Sequence, residues 1–314
     1  MAIGRSALRA ERRADKNGTV VTRHVRDATA PGVRSIPSAL PSIEPVVVLS
    51  DSLYSDHLEY ASEIINEMRA NKQETMYTMT STNARGEVVW NLARQRAHDS
   101  IINDQLDKYA HLPRERKSLM SGGMGGAGKS FVLNKFAGVN TTEYATINPD
   151  DIKEIMAERG LIPEIEGLSP MEVSPLVHEE ASMIAKELAN CLLRQGTNVI
   201  FDVTMASAGS TRKKVMQLKE AGYEVDAVFV DVTPETSMQR AADRHRRGWE
   251  KHKRGEGHGG RILPHDLIEA QRDESGQHNS KNRHAFENLK NDGLFNSTMV
   301  YDNNVEGRHP IRVG

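Results

Sequence analysis

Eight consecutive residues constrain this chain more than any others. Gly123-Met124-Gly125-Gly126-Ala127-Gly128-Lys129-Ser130 fits G-x-x-x-x-G-K-S at every fixed position. Glycines let backbone N–H groups curl around phosphate oxygens without Cβ clashes. A helix starting near Gly128 turns its positive end toward the same anion. In that arrangement Lys129 bridges the β- and γ-phosphates and Ser130 places its hydroxyl on Mg²⁺. The expected nucleotide-binding set is Gly123, Gly125, Gly126, Ala127, Gly128, Lys129 and Ser130, with ATP or GTP and Mg²⁺ as ligands.

The surrounding pattern fits. From Lys117 onward, strand and helix signals alternate: a strand from Lys117 to Ser121, a helix from Lys129 to Phe136, a strand from Tyr144 to Ile147 and a helix from Pro149 to Arg159. A long helix from Ser174 to Arg194, a buried-type strand from Asn198 to Asp202, a helix from Ser210 to Ala221 and a strand from Glu224 to Val232 follow. A helix from Pro234 to Arg246 and a last strand from Ser297 to Asp302 complete the series. Such alternation implies an α/β fold, a mainly parallel sheet flanked by helices. Residues 41–115 read instead as a helical N-terminal extension. It has a strand candidate at Val46–Leu49, a helix capped by Ser52 or Ser55 and running to about Ala70, and a second helix from Val88 to Tyr109. The stripe of that second helix would be Leu92, Ala93, Ala97, Ile101, Leu106 and Tyr109. Residues 1–40 are Arg-rich with no sustained apolar period, the composition of a disordered basic tail. Three segments result: the tail (1–40), the extension (41–115) and a P-loop domain (116–314) with a lid at about 244–264.

Two strand ends carry acids. In Ile147-Asn148-Pro149-Asp150-Asp151, Asn148 suits a helix N-cap and Pro149 the first helical position. The carboxyl ends of parallel strands line the ligand crevice, so Asp150 is the candidate base for an acceptor hydroxyl, with Asp151 beside it. The run Val199-Ile200-Phe201-Asp202 ends in an acid suited to orienting Mg²⁺ or touching substrate. Asp202 and Ser130 are the candidate metal ligands. Arg240, Arg244, Arg246, Arg247, Lys251, Lys253, Arg254 and Arg261 gather around a Gly- and His-rich polar loop at 248–261. Arginines of a closing lid stabilise the charge of a transferring phosphoryl group. The histidines His245, His252, His258 and His265 fit no common zinc spacing.

Bulk properties set limits. A formal net charge of -2 over 314 residues gives no global case for nucleic-acid binding. The single cysteine, Cys191, excludes an internal disulfide and reads as a small core residue. No apolar run reaches the length of a membrane span or a secretory signal, so the expected location is cytoplasmic.

These residues together resemble the zeta-toxin family of P-loop kinases, over about residues 95–305. The P-loop, Ile147-Asn-Pro-Asp-Asp151, Glu172-Val-Ser-Pro175 and Gln195-Gly-Thr-Asn-Val-Ile-Phe-Asp202 carry the resemblance. Lys219-Glu-Ala-Gly-Tyr-Glu224, Gly293-Leu-Phe-Asn296 and the leading Ala97-His-Asp-Ser-Ile101 extend it. It implies a phosphotransferase whose acceptor is UDP-N-acetylglucosamine or a similar sugar nucleotide, with a protein antitoxin as partner. By position it implies Asp150 as general base, Lys129 on the phosphates, and Arg244 and Arg261 as lid arginines. Asp151, Asp202 and Thr204 are then the substrate contacts. One departure stands out: after the third strand the family often carries an acid and Gly-Thr-Gly-Arg, whereas this chain has Asp202-Val-Thr-Met-Ala206. Two alternatives stay open. Polynucleotide and nucleoside 5′-hydroxyl kinases share this core and an acid at the same place, and a nucleotide-binding interaction protein needs no acceptor chemistry.

Overall fold

The computed structural model describes residues 51–304 and 309–314, without the Asp51 side chain, and residues 9–14 and 20–25 as backbone. Two units divide at Val48 and Leu49. In the first, β1 (Arg9–Ala14) pairs antiparallel with β2 (Val20–Val25), Ala14 opposite Val20. The remainder of the expected basic tail, and the strand expected at Val46–Leu49, lie outside the described residues.

The second unit begins with α1 (Asp51–Ala70), α2 (Thr75–Thr78), β3 (Thr80–Thr82), β4 (Val88–Trp90) and α3 (Leu92–Lys108). Here the structure corrects the sequence reading. Val88–Trp90 is not helical; it pairs antiparallel with Thr80–Thr82, and the helix starts after Asn91, whose side chain accepts from Arg94 N at 2.8 Å. The buried face of α3 is not the expected Leu92, Ala93, Ala97 stripe either. Leu92 is 66% exposed, and Arg94, His98 and Ile101 point inward. The reason is a fully buried acceptor, Glu180. It takes Arg94 Nε at 2.5 Å, Arg94 Nη2 at 2.8 Å and Thr75 Oγ1 at 2.6 Å, and His98 Nε2 lies 2.5 Å away. Burial alone would raise the Glu180 carboxyl, but these hydrogen bonds hold it below its ordinary value.

From there the chain alternates as expected: β5 (Lys117–Gly122), α4 (Lys129–Lys135), β6 (Ala145–Ile147), α5 (Pro149–Glu158), α6 (Pro170–Val173), α7 (His178–Gln195), β7 (Val199–Asp202), α8 (Ala208–Glu220) and β8 (Glu224–Asp231). Then come α9 (Pro234–Lys253), α10 (His265–Glu269), α11 (Lys281–Asn291), β9 (Thr298–Asp302) and β10 (Ile311–Arg312). The sheet order is β10-β9-β8-β5-β7-β6, parallel except for β10, which pairs antiparallel with β9. Ser121 sits opposite Asp202 and Asp231 opposite Asp302, so the strands finish along one edge.

Strand alternation splits the core into two layers. Val225, Ala227 and Phe229 pack toward Phe286 and Leu289 of α11 and the buried face of α7. Leu119, Val228 and Val230 pack toward Val132 and Leu133 of α4 and Ala241 of α9. Helix α9 runs seven residues beyond the expected end at Arg246, and its Trp249 is 2% exposed. The stretch read as wholly polar loop therefore contributes to the interior. Cys191 is half-buried, with Arg194 Nη2 at 3.1 Å from its sulfur. Among the described residues no helix is long and apolar enough to cross a membrane.

Candidate functional site

The phosphate loop leaves β5, the middle strand of the parallel five. Gly123 adopts φ +132°, and a Cβ there would lie 2.3 Å from Val230 O. Gly128, at φ +83°, caps α4, and a Cβ there would meet Asn303 Nδ2 at 2.7 Å. Both positions require glycine on two counts, backbone region and space. The loop is braced from outside. Ser237 Oγ donates to Gly125 O at 2.5 Å, Asn303 Nδ2 donates to Ala127 O at 2.7 Å, and Arg240 Nη2 holds Asn303 O at 2.7 Å. Lys129 Nζ folds over the loop, donating to Gly123 O at 2.9 Å and Met124 O at 3.3 Å. Ser130 is exposed on the first turn of α4.

Asp202 closes β7 directly opposite Ser121. Its Oδ1 is buried, 3.4 Å from Lys129 Nζ, and makes no hydrogen bond, while Oδ2 accepts from Asn148 Nδ2 at 3.3 Å. A buried anionic oxygen without a donor, beside the phosphate loop, is the ligand type a hard cation such as Mg²⁺ takes, and Ser130 supplies a hydroxyl from the same loop. The residues present fit that ion.

Asn148 joins the two acidic strand ends. Its Oδ1 accepts from Asp150 N at 2.9 Å as the cap of α5, and its amide reaches Asp202. Asp150 is gripped on both oxygens, by Lys153 Nζ at 3.1 Å from Oδ1 and by Arg261 Nη1 on Oδ2. Lys153 has its side chain 8% exposed, and burial pushes its amine down to about 8. Arg244, on α9, lies within electrostatic reach of Glu154 and Asp202. Of the two arginines expected on a lid, Arg261 meets the acidic end of the sheet by direct contact, and Arg244 stands exposed on helix α9.

Asp151 faces another way. It lines a cavity of 220 Å³ with Asn148, Glu154, Glu158, Gln105, Lys108 and Tyr109 on a floor that includes Ile147 and Leu188. Desolvation against that wall, then Glu154 and Asp202, push its carboxyl up to about 6, with Lys108 opposing. Thr204 is exposed; its hydroxyl accepts from Ala206 N at 3.4 Å, and its carbonyl accepts from Asn282 Nδ2 at 2.8 Å. Of the residues expected at the site, Lys129, Asp150, Asp202 and Arg261 are linked by contact, directly or through Asn148. Thr204 makes none of these contacts. Lys153 and Asn303 went unnoticed in the sequence, and Asn148 was read there as a helix cap without its link to Asp202. Lys153 was detectable, since it stands three residues after Asp150 on a helix. Asn303 carried no local signal.

A phosphate loop after the middle parallel strand, an acid closing the neighbouring strand and basic side chains at the same end of the sheet define a P-loop kinase core, and the chain is a phosphotransferase. The zeta toxin family model matches residues 102–306, and the chain belongs to that family. No curated protein matches it in sequence. Among solved structures it is similar to the AvrRxo1-ORF1:AvrRxo1-ORF2 complex with sulphate ions, at 17% identity and TM-score 0.54, covering 71% of this chain and 67% of that one. The same complex with ATP matches at 15% identity and TM-score 0.54, with the same coverage. A chain of the PezAT toxin–antitoxin system of Streptococcus pneumoniae matches at 15% identity and TM-score 0.47, over 71% of this chain and 81% of that one.

Proposed function

We propose that this protein transfers the γ-phosphate of ATP or GTP to a hydroxyl of a sugar nucleotide, UDP-N-acetylglucosamine or a related one. The observation that carries the reading is the Asn148 bridge, which ties the backbone N–H of Asp150 to the carboxylate of Asp202, itself 3.4 Å from Lys129 Nζ. A carboxylate so placed takes the acceptor proton while the loop amides and Lys129 hold the phosphates. Acceptor oxygen bonds to the γ-phosphorus, the bond from that phosphorus to the bridging oxygen breaks, and the nucleoside diphosphate leaves. Mg²⁺ on Ser130 and Asp202 would neutralise charge on the phosphate oxygens. An acceptor hydroxyl competes with Arg261 for Asp150 Oδ2, and the displaced guanidinium, with Arg244, turns to the transferring phosphoryl group. Asp151 and Thr204 remain the proposed acceptor contacts, and the cavity beside Asp151 is roomy enough for one sugar ring but below the roughly 300–1,000 Å³ of whole-ligand pockets. The name of the family and the two-protein complex among the structural neighbours support a protein antitoxin as partner.

The test incubates the protein with Mg-ATP and UDP-N-acetylglucosamine and seeks a phosphate mass on the sugar nucleotide. Asp150→Asn should lower turnover by about 10²–10⁴-fold while nucleotide still binds. Lys129→Ala should weaken both. Failure of every sugar nucleotide to gain phosphate removes the acceptor assignment, and label on a 5′-hydroxyl oligonucleotide would replace it. Full turnover in Asp150→Asn removes the base.

A further inference from the structure

The contact between Arg261 and Asp150 raises a question the phosphate loop does not answer: what holds a residue of a glycine-rich loop in place. The three residues before Arg261 are laid on two supports. Met171 N donates to His258 O at 2.9 Å. A Cβ on Gly259 would lie 2.0 Å from Ser169 Oγ, and one on Gly260 would lie 2.4 Å from His245 O. A Cβ on Gly248 of α9 would in turn meet Gly260 Cα at 2.6 Å. The loop is pressed onto Ser169 and onto the turn of α9 that carries His245.

Ser169 and His245 share one partner, the fully buried Glu172. Its Oε2 accepts from Ser169 N at 2.8 Å and Ser169 Oγ at 2.7 Å. Its Oε1 lies 3.0 Å from His245 Nε2 and 2.6 Å from His57 Nε2. Burial alone would raise this carboxyl; hydrogen bonds from His245, His57 and Ser169 hold it well below the carboxylate range. An ionised carboxylate only accepts, so both histidines donate from Nε2. Helix α1 supplies the last members. Tyr54 OH sits 2.8 Å from His245 Nδ1, and the Tyr54 and His57 rings pack on Trp249 at 5.3 and 5.0 Å between centroids. This helix precedes the 102–306 family match.

We propose that Glu172, Ser169, His245, His57 and Tyr54 form a positioning network that sets Arg261 against Asp150, so that helix α1 of the extension is part of the phosphoryl-transfer apparatus. Glu172 touches no reacting group. It acts through Ser169 and His245, which shape the bed of Gly259 and Gly260. Breaking the α1 end leaves the carboxylate two donor residues and lets the loop lift, which moves Arg261 and spares the phosphate loop.

The proposal rests on the kinase reading for its kinetic arm only. In the full chain, His57→Phe keeps a ring over Trp249 and removes the donor to Glu172. Amide hydrogen exchange over 254–264 should quicken about tenfold, the equivalent of one charge-assisted hydrogen bond, with 120–132 unchanged. With UDP-N-acetylglucosamine as acceptor, kcat should fall by a similar factor at constant KM for ATP. His57→Gln, which restores an N–H donor, should recover most of both effects. Tyr54→Phe, the milder change, should move the same segment in the same direction. Unchanged exchange over 254–264, equal loosening of 120–132, or no recovery in His57→Gln overturns the network. If the wild type phosphorylates no sugar nucleotide while the exchange pattern appears as stated, the acceptor assignment falls and the network stands.

Discussion

Lys153 is the group whose replacement by an apolar residue should strengthen the fold while harming the site. Its side chain is 8% exposed, it contacts Asp150 at 3.1 Å, and burial lowers its amine from 10.5 to about 8. That gap equals about 3 kcal/mol spent on keeping the amine charged in the folded chain near neutral pH. The folded chain binds fewer protons than the unfolded chain between pH 8 and 10.5, so wild-type stability rises across that window. Lys153→Met keeps the length of the stem and does not titrate. The Asp150 side chain is 39% exposed, so the lost ion pair is screened and offsets roughly 1 kcal/mol at most. At pH 7 the variant should therefore be more stable by about 2 kcal/mol, a rise of roughly 5 °C in Tm. By pH 10.5 the advantage should have vanished, because the wild type no longer carries the buried charge. Urea unfolding followed by circular dichroism at pH 7 and at pH 10.5 reads both values. Turnover should fall, since Asp150 loses one of its two clamps. No gain at pH 7, or an equal gain at both pH values, would refute a desolvated charge as the cause.

Arg94→Ala should destabilise the chain by about 3–5 kcal/mol in the same unfolding assay, because Glu180 is fully buried and loses two of its hydrogen bonds; a loss below 1 kcal/mol would mean the carboxylate relaxes to water. Gly123→Ala should abolish nucleotide binding by calorimetry, since a Cβ would sit 2.3 Å from Val230 O at a φ of +132°; retained binding would show that the loop backbone yields. The acceptor KM should change across pH 6, where Asp151 gains its negative charge as pH rises, and the break should be absent in Asp151→Asn; an identical profile in the variant removes Asp151 from the acceptor site.

The parts of this fold that were legible in the sequence are those written in consecutive residues. The phosphate loop, the Asn148–Pro149 helix start and the strand ending at Asp202 each state their geometry within a few positions, because glycine, proline and a capping amide act on their own backbone. What stayed hidden depends on partners far away in the chain. Arg94 and His98 look like a polar face until Glu180, more than eighty residues on, turns that face inward. Val88–Trp90 continues an apolar stretch that suits a helix, and pairing with Thr80–Thr82 makes it a strand.

The basic stretch around Arg261 was likewise legible only in composition. Composition marked it as basic and polar without choosing among its arginines, and only the family resemblance singled out Arg244 and Arg261. What the structure adds is the contact of Arg261 with Asp150, which neither charge nor spacing announced. Two glycines before it can lie flat on Ser169 and His245, and Glu172 fixes both of those residues from below. A side chain at either glycine would collide and lift the loop. On the proposed network, the contact of Arg261 with Asp150 depends on a buried carboxylate and on the absence of two Cβ atoms; read along the chain, Glu172 is only part of a family motif and the two glycines only part of a polar loop.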